Sequence, residues 1–254
     1  MAKIIALVPV LYLFILLYYM YSLKKLVAIR KNIDVEKLVI HLTKFTHLQN
    51  FTAEKAKNYL QQATYARYLF FTLWTFILQC MFLTVGIVDE VLKLINFSTI
   101  QSYTEKIRHF LFSSLVFPNS LLVISVFWSI WFVDRELIFP RVIDEFYPQW
   151  LNHTLHTFII IPLMIEVVAR FRNTKVRTSR RKIATVLIAF CSIYQTLFLT
   201  VYMLYGVWLY PIYKVLTWIQ RVGFSLVQLF LGLVYQQIGL FLLEGQERSK
   251  TKTK

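Results

Sequence analysis

Apolar residues gather in six long runs along this chain, with polar and basic residues between them. The runs are Ile4–Leu23, Tyr68–Val88, Phe110–Val133, Trp150–Val168, Ile183–Leu204 and Val222–Leu243. At 1.5 Å per residue, a run of about twenty residues crosses about 30 Å of hydrocarbon. The pattern therefore predicts an all-α, polytopic membrane protein, a bundle of about six transmembrane helices in a single membrane domain over residues 1–254. The fifth run carries no charged residue. The fourth is the most polar, holding Asn152, His153, His156 and Glu166. The first run is longer than the core of a signal peptide. It is followed by Tyr21-Ser22-Leu23-Lys24, which reads as a membrane exit and not as a small-residue cleavage site.

The longest connection is Lys24–Arg67. Within it Val35, Leu38, Leu42 and Phe45 recur at helical spacing, with Lys37 and Lys44 off that face. This fits an amphipathic helix on the membrane surface, or equally a solvated helical hairpin. Residues 244–254 form a basic tail.

Composition agrees with a lipid-facing surface. Of 254 residues 57% are hydrophobic and only 16% are charged, against roughly 25% charged in an ordinary soluble domain. Aromatic residues make up 17%, as interfacial belts require. The formal charge of +15 sits between apolar runs, so it suits headgroups and topology and does not point to nucleic acid. Cys80 and Cys191 both lie in apolar stretches without metal-type spacing, so neither a disulfide framework nor a zinc site is expected.

Six spans put both termini on one side. The two sides then carry 15 and 13 Lys and Arg, which decides little. The densest cluster, Arg170, Arg172, Lys175, Arg177, Arg180, Arg181 and Lys182, contains no acid and lies next to two spans. Positive charge close to spans sets orientation, so cytosolic termini are expected. Of three glycosylation sequons, at Asn50, Asn96 and Asn152, that topology leaves only Asn50 in a sizeable lumenal loop.

No soluble-hydrolase elbow, zinc-protease motif, phosphate loop or dinucleotide fingerprint occurs. Polar groups at membrane depth are costly and raise a functional question by default. His153 and His156 open the fourth run three residues apart, and Asn152 is four before His156. They read either as a site or as an interfacial polar cap. A transmembrane haem would need histidines on two facing helices. His41, His47 and His109 lie outside the runs or at an edge, which leaves that ligand set incomplete. Thr72 lies near the start of the second run, where a threonine commonly bonds its own i−4 carbonyl. The second and fourth runs begin on the same membrane face. Thr72 and His156 thus fall in one layer beneath the interface, and a hydroxyl beside an imidazole is the minimum for an activated nucleophile.

The segment Val126–Thr157 resembles the androgen-induced gene 1 / androgen-dependent TFPI-regulating protein family. The matching residues are Asp134-Arg135-Glu136, Ile138-Phe139-Pro140, Trp150-Leu151-Asn152-His153 and His156-Thr157. Gly206-Val207-Trp208-Leu209-Tyr210-Pro211 is similar to the family's GxWxYP, and Phe71-Thr72 with Gln79 match within Tyr68–Asp89. The resemblance covers roughly residues 64–243. The first run and the Lys24–Arg67 loop are longer than the family's lead-in.

The resemblance implies an intramembrane hydrolase of lipid esters, with fatty acid esters of hydroxy fatty acids as substrates. It implies a threonine nucleophile, which falls on Thr72 with Thr75 three residues away, and a histidine base, which falls on His156. Asn152 is a candidate for oxyanion stabilisation or orientation on helical spacing. Asp134, Arg135 and Glu136 suit an interfacial ion-pair cluster better than catalysis. No metal and no organic cofactor is implied. The implied partners are a lipid ester and membrane lipids, and the implied location is the endomembrane system, endoplasmic reticulum or plasma membrane. The alternative is a non-enzymatic lipid transporter or regulatory scaffold. A transporter calls for polar groups on several spans near the midplane, and few such groups are expected here.

Overall fold

A computed structural model describes residues 2–28, 67–145, 147–170, 176, 178–206 and 208–251. The expected amphipathic segment after Lys24 and the sequon at Asn50 lie outside the described residues.

The helices are α1 (Ala2–Ala28), α2 (Phe71–Leu94), α3 (Ser98–Leu111), α4 (Phe117–Asp134), α5 (Gln149–His156), α6 (Ile160–Arg170), α7 (Arg180–Tyr205), α8 (Ile212–Val215) and α9 (Trp218–Thr251). Six stretches are long and apolar enough to cross a membrane: Leu7–Ala28, Phe71–Leu94, Ser98–Leu137, Gln149–Arg170, Arg180–Tyr205 and Trp218–Leu243. This is an integral, multi-pass, all-helical membrane protein. Phe14, Val133, Met203, Ile219 and Phe241 stand exposed on its outer faces, as side chains against lipid do.

Two spans differ from the hydrophobic runs. The third begins at Ser98, well before Phe110, because α3 continues through a π turn at Phe112–Val116 into α4. His109, expected at an edge, is therefore inside this span and buried. The π turn has a local cause. Pro118 has no N–H, so the carbonyl of Ser114, four residues earlier, loses its helical donor. Gln236 of α9 supplies the replacement, its Nε2 donating to Ser114 O at 3.3 Å and to Ile183 O at 3.1 Å.

The fourth span is interrupted at residues 157–159, between α5 and α6. Non-helical backbone at membrane depth must find partners within the protein. Here Thr157 and Phe158 donate to His153 O, Gln79 Nε2 donates to Ile159 O at 2.8 Å, and Tyr19 Oη donates to Phe158 O at 3.4 Å. Gln79 also donates to Ser120 Oγ at 2.8 Å and accepts from Tyr19 Oη at 3.0 Å. One amide thus ties α1, α2, α4 and the break together, about 12 Å along α2 from its start. Few polar groups were expected at such depth; Gln79 and Ser120 are fully buried there.

α1 packs closely on α2. The ring of Tyr12 lies over Gly86, where a Cβ would come within 2.8 Å of it. The main apolar core joins Val8, Phe76, Phe82, Leu83, Phe112, Phe117, Leu155 and Leu163.

Candidate active site

Thr72 is the second residue of α2. Elsewhere in the bundle Thr84, Thr185, Thr196 and Thr200 each donate to the carbonyl four residues back, at 2.8–2.9 Å. Thr72 is too near the helix start to have such a carbonyl inside α2. Its would-be acceptor, Tyr68 O, takes the Trp74 indole N–H at 2.9 Å instead. The Thr72 hydroxyl points across to α5, with Oγ1 3.3 Å from Nε2 of His156.

His156 ends α5 and is buried. Its Nδ1 lies 3.0 Å from the backbone carbonyl of Asn152. A carbonyl only accepts, so Nδ1 carries the proton, and Nε2 of the neutral ring presents its lone pair to Thr72. Phe127 stacks on the imidazole at 3.6 Å between centroids and 14° between planes, which fixes the ring's orientation. As the last residue of α5, His156 has a carbonyl without a helical partner. Trp128 Nε1 donates to it at 3.1 Å.

The start of α2 lacks a side-chain cap of its own, since Phe70 precedes it. Two distant tyrosines take that role. Phe71 N–H donates to Tyr194 Oη at 3.1 Å and to Tyr210 Oη at 3.0 Å, and the two hydroxyls lie 3.1 Å apart. Burial pushes the Tyr210 hydroxyl up to about 12, so it stays protonated over the physiological range. Tyr210 reaches this point because Gly206, at φ +66°, turns the chain after α7, and Trp208 stacks on Tyr202 at 3.8 Å.

The expected site residues are distributed as follows. Thr72 and His156 meet. Thr75 is fully buried, and its Oγ1 has no hydrogen-bond partner. Asn152 orients His156 through its main chain, while its own Oδ1 is buried without a partner. His153 turns outward, stacking on Trp128 at 5.5 Å and meeting Thr157 Oγ1 at 3.2 Å. Asp134, Arg135 and Glu136 form ion pairs and a turn cap: Arg135 with Asp144 at 2.8 Å, Glu136 with Arg141 at 3.5 Å, and Asp134 Oδ1 accepting from Glu136 N–H. Among the described residues no three His, Cys, Asp or Glu side chains gather as a metal site needs.

A second polar centre escaped the reading of the runs. Arg108, only 1% exposed, pairs with Asp89 at 2.8 Å and with Glu166 at 2.6 Å, and also bonds Glu90. Glu166 takes Arg170 Nε at 3.1 Å and the Tyr12 hydroxyl, and Lys93 joins Asp89 at 2.8 Å. Asp89 lies seventeen residues beyond Thr72 on one helix, or about 26 Å, so this network is at the opposite membrane face. Glu166 alone was visible as an acid inside a run. The other charged members, Asp89, Glu90, Lys93, Arg108 and Arg170, stood outside the runs and looked like ordinary flanking charge.

The sequence profile of a family described as FAR-17a/AIG1-like protein matches residues 36–244. The androgen-dependent TFPI-regulating protein of Homo sapiens is 32% identical over 198 residues, covering 76% of this chain and 85% of its own. That of Mesocricetus auratus is 34% identical over 159 residues, covering 62% and 67%. The androgen-induced gene 1 protein of Homo sapiens is 28% identical over 149 residues, covering 56% and 61%. No solved structure matches the chain.

Proposed function

The chain belongs to the FAR-17a/AIG1-like protein family, and on that premise we propose that it is an intramembrane threonine hydrolase of lipid esters. The substrate class is fatty acid esters of hydroxy fatty acids. The observation that carries this reading is the 3.3 Å approach of Thr72 Oγ1 to His156 Nε2, with Nδ1 committed to a carbonyl.

In this mechanism Thr72 Oγ1 attacks the ester carbonyl carbon while its proton passes to His156 Nε2. The tetrahedral intermediate collapses, the C–O bond to the alcohol breaks, and His156 returns the proton to the departing oxygen. An acyl-threonine remains. Water then attacks it, giving its proton to His156, and the fatty acid leaves as Thr72 regains its hydrogen. The developing oxyanion needs donors. The positive end of α2, where Thr72 N–H is among the first four that a helix cannot pair internally, supplies one direction of stabilisation. The Asn152 side-chain amide is the second candidate. The lipid ester and surrounding membrane lipids are its partners, its compartment is the endomembrane system, and its termini are cytosolic.

Labelling with a fluorophosphonate probe tests the nucleophile. The wild-type protein should label covalently, Thr72→Ala should not, and Thr75→Ala should retain labelling. Labelling of Thr72→Ala at the wild-type level would remove the mechanism. The interrupted span α5–α6 is a feature shared with transporters and keeps a lipid-transport reading in view. Saturable lipid exchange between vesicles, unchanged in Thr72→Ala and His156→Ala, would favour that reading.

A further inference from the structure

Arg221 lies at the same end of the bundle as Thr72 and is unlike the other described arginines there. Its guanidinium carbon sits 4.5 Å from the Trp208 ring centroid and 4.8 Å from that of Trp218. Its Nε donates to Tyr213 O at 2.8 Å. Nη1 and Nη2 have no partner among the described residues. Three acids at this end are engaged elsewhere: Asp134 with Glu136 N–H, Asp144 with Arg135, and Glu136 with Arg141.

The position adds a second argument. Arg221 is the fourth residue of α9. That helix start is closed by a capping box, with Thr217 N–H donating to Gln220 Oε1 at 2.8 Å and Gln220 N–H to Thr217 Oγ1 at 3.4 Å. A cation in the first turns of a helix is disfavoured by the dipole, which there prefers a negative charge. Two positive features thus converge, with both outer nitrogens of a planar fork left open. An oxyanion fits such a fork with two parallel hydrogen bonds.

Contacts run from this clamp to the candidate nucleophile. Tyr213, whose carbonyl holds Arg221, packs against Phe198 at 4.6 Å between centroids, with the rings tilted by 57°. Phe198 meets Tyr210 at 6.1 Å, and Tyr210 caps Phe71, next to Thr72. The rings between them form one contiguous, largely buried aromatic cluster that also packs on Phe71.

We propose that Arg221, clamped between Trp208 and Trp218, binds the oxyanion group of a membrane amphiphile, a carboxylate or a phosphate. Where that amphiphile is the substrate, which rests on the hydrolase reading above, Arg221 selects lipid esters that carry a free acid and sets the distance from that acid to the cleaved bond.

Binding is measured on purified Thr72→Ala protein in micelles, by tryptophan quenching with a stearic acid bearing a nitroxide near its carboxylate. Its methyl ester is the uncharged comparison. The free acid should half-saturate at a concentration roughly tenfold lower than the ester, the effect of one charge-assisted contact. In the same background Arg221→Gln should erase that difference, and Arg221→Lys should keep part of it. Equal quenching by acid and methyl ester overturns the proposal without recourse to any Arg221 variant. So does an undiminished preference for the acid in a monodisperse Arg221→Gln protein. A nitroxide-labelled lysophosphatidate identifies the source: tighter binding than the acid makes the seat a headgroup site, weaker binding a carboxylate site. In turnover with otherwise wild-type protein, Arg221→Gln should raise KM about tenfold for a free-acid lipid ester and leave its methyl ester unchanged. If neither ester is cleaved but the acid still binds through Arg221, the anion site stands and the hydrolase reading falls.

Discussion

Thr72 owes its character to being two residues into a helix. Deeper in the helix a threonine hydroxyl has a carbonyl four residues back within reach, as Thr84 uses Cys80 O. At the second position no such acceptor exists within the helix, and the hydroxyl is free to meet His156. The imidazole in turn is held on three sides, by Asn152 O, by Phe127 and by the Trp128 indole through its carbonyl. If Thr72 and His156 act as one unit, His156→Ala should lower ester hydrolysis by roughly 10²-fold or more. The double variant with Thr72→Ala should then be no worse than either single one. His153→Ala is the control three residues away. Because its ring faces outward, activity should stay within about twofold, a surface-type change. Rate measurements on four purified variants decide this, and additive losses in the double variant would show that the two side chains work independently.

At the scale of elements, the break between α5 and α6 places His156 and is held from outside by Gln79. Tyr19 of α1 supports both, through Gln79 Oε1 and Phe158 O. Tyr18 adds a hydrogen bond to Thr154 Oγ1 at 2.6 Å, two residues before His156. Thus α1, which precedes the residues matched by the family profile, braces the histidine segment. Gln79→Leu removes the donor to Ile159 O and Ser120 Oγ and leaves both buried. Stranding buried polar groups costs about 1–3 kcal/mol each. The expected result is a lower kcat with little change in KM, alongside a reduced melting temperature. Unchanged kcat in a destabilised protein would mean that the break is merely structural. Tyr210→Phe should weaken the start of α2 by about 0.5–2 kcal/mol, as the loss of a helix cap does. Its effect should appear in thermal unfolding first.

The whole molecule is pinned at both membrane faces by different means. At one end aromatic rings and two tyrosine hydroxyls close the candidate site. At the other, Arg108 gathers Asp89, Glu90 and Glu166 from two other helices, with Arg170, Lys93 and Tyr12 completing the set. Three carboxylates face three basic side chains, so the network is neutral as a unit. Arg108→Met breaks it while leaving three acids buried. Loss of one partner from a buried pair costs about 3–5 kcal/mol, so this variant should unfold far more readily in a detergent melt than the Asp89→Asn variant. Similar melting of both variants and wild type would show that the network contributes little. The proposed orientation is read by glycosylation in microsomes: Asn50 should be modified and Asn96, in the turn after α2, should not. A glycan on Asn96 would invert the topology and carry the candidate site to the cytosolic face.

The number of spans, the all-helical class and the interfacial ion pairs around Asp134–Glu136 were legible in the sequence, because each depends on local composition. A run of about twenty apolar residues partitions into lipid whatever its neighbours are, and charges a few residues apart meet wherever the chain turns. Even the shared depth of Thr72 and His156 follows from the alternation of spans. What tertiary structure alone decided is which polar groups face each other. It brings Thr72 to His156 and leaves Thr75 sealed without a partner, a difference of one helical turn that hydrophobic pattern does not encode. It caps α2 with Tyr194 and Tyr210, more than a hundred residues away. It interrupts the fourth span where Gln79 and Tyr19 can satisfy the freed carbonyls, and it turns scattered flanking charges into the Arg108 network. The physical reason is common to all four. Inside a membrane every exposed backbone and polar group must be satisfied by the protein itself, and the partner is whichever side chain the packed helix faces bring within about 3 Å of it.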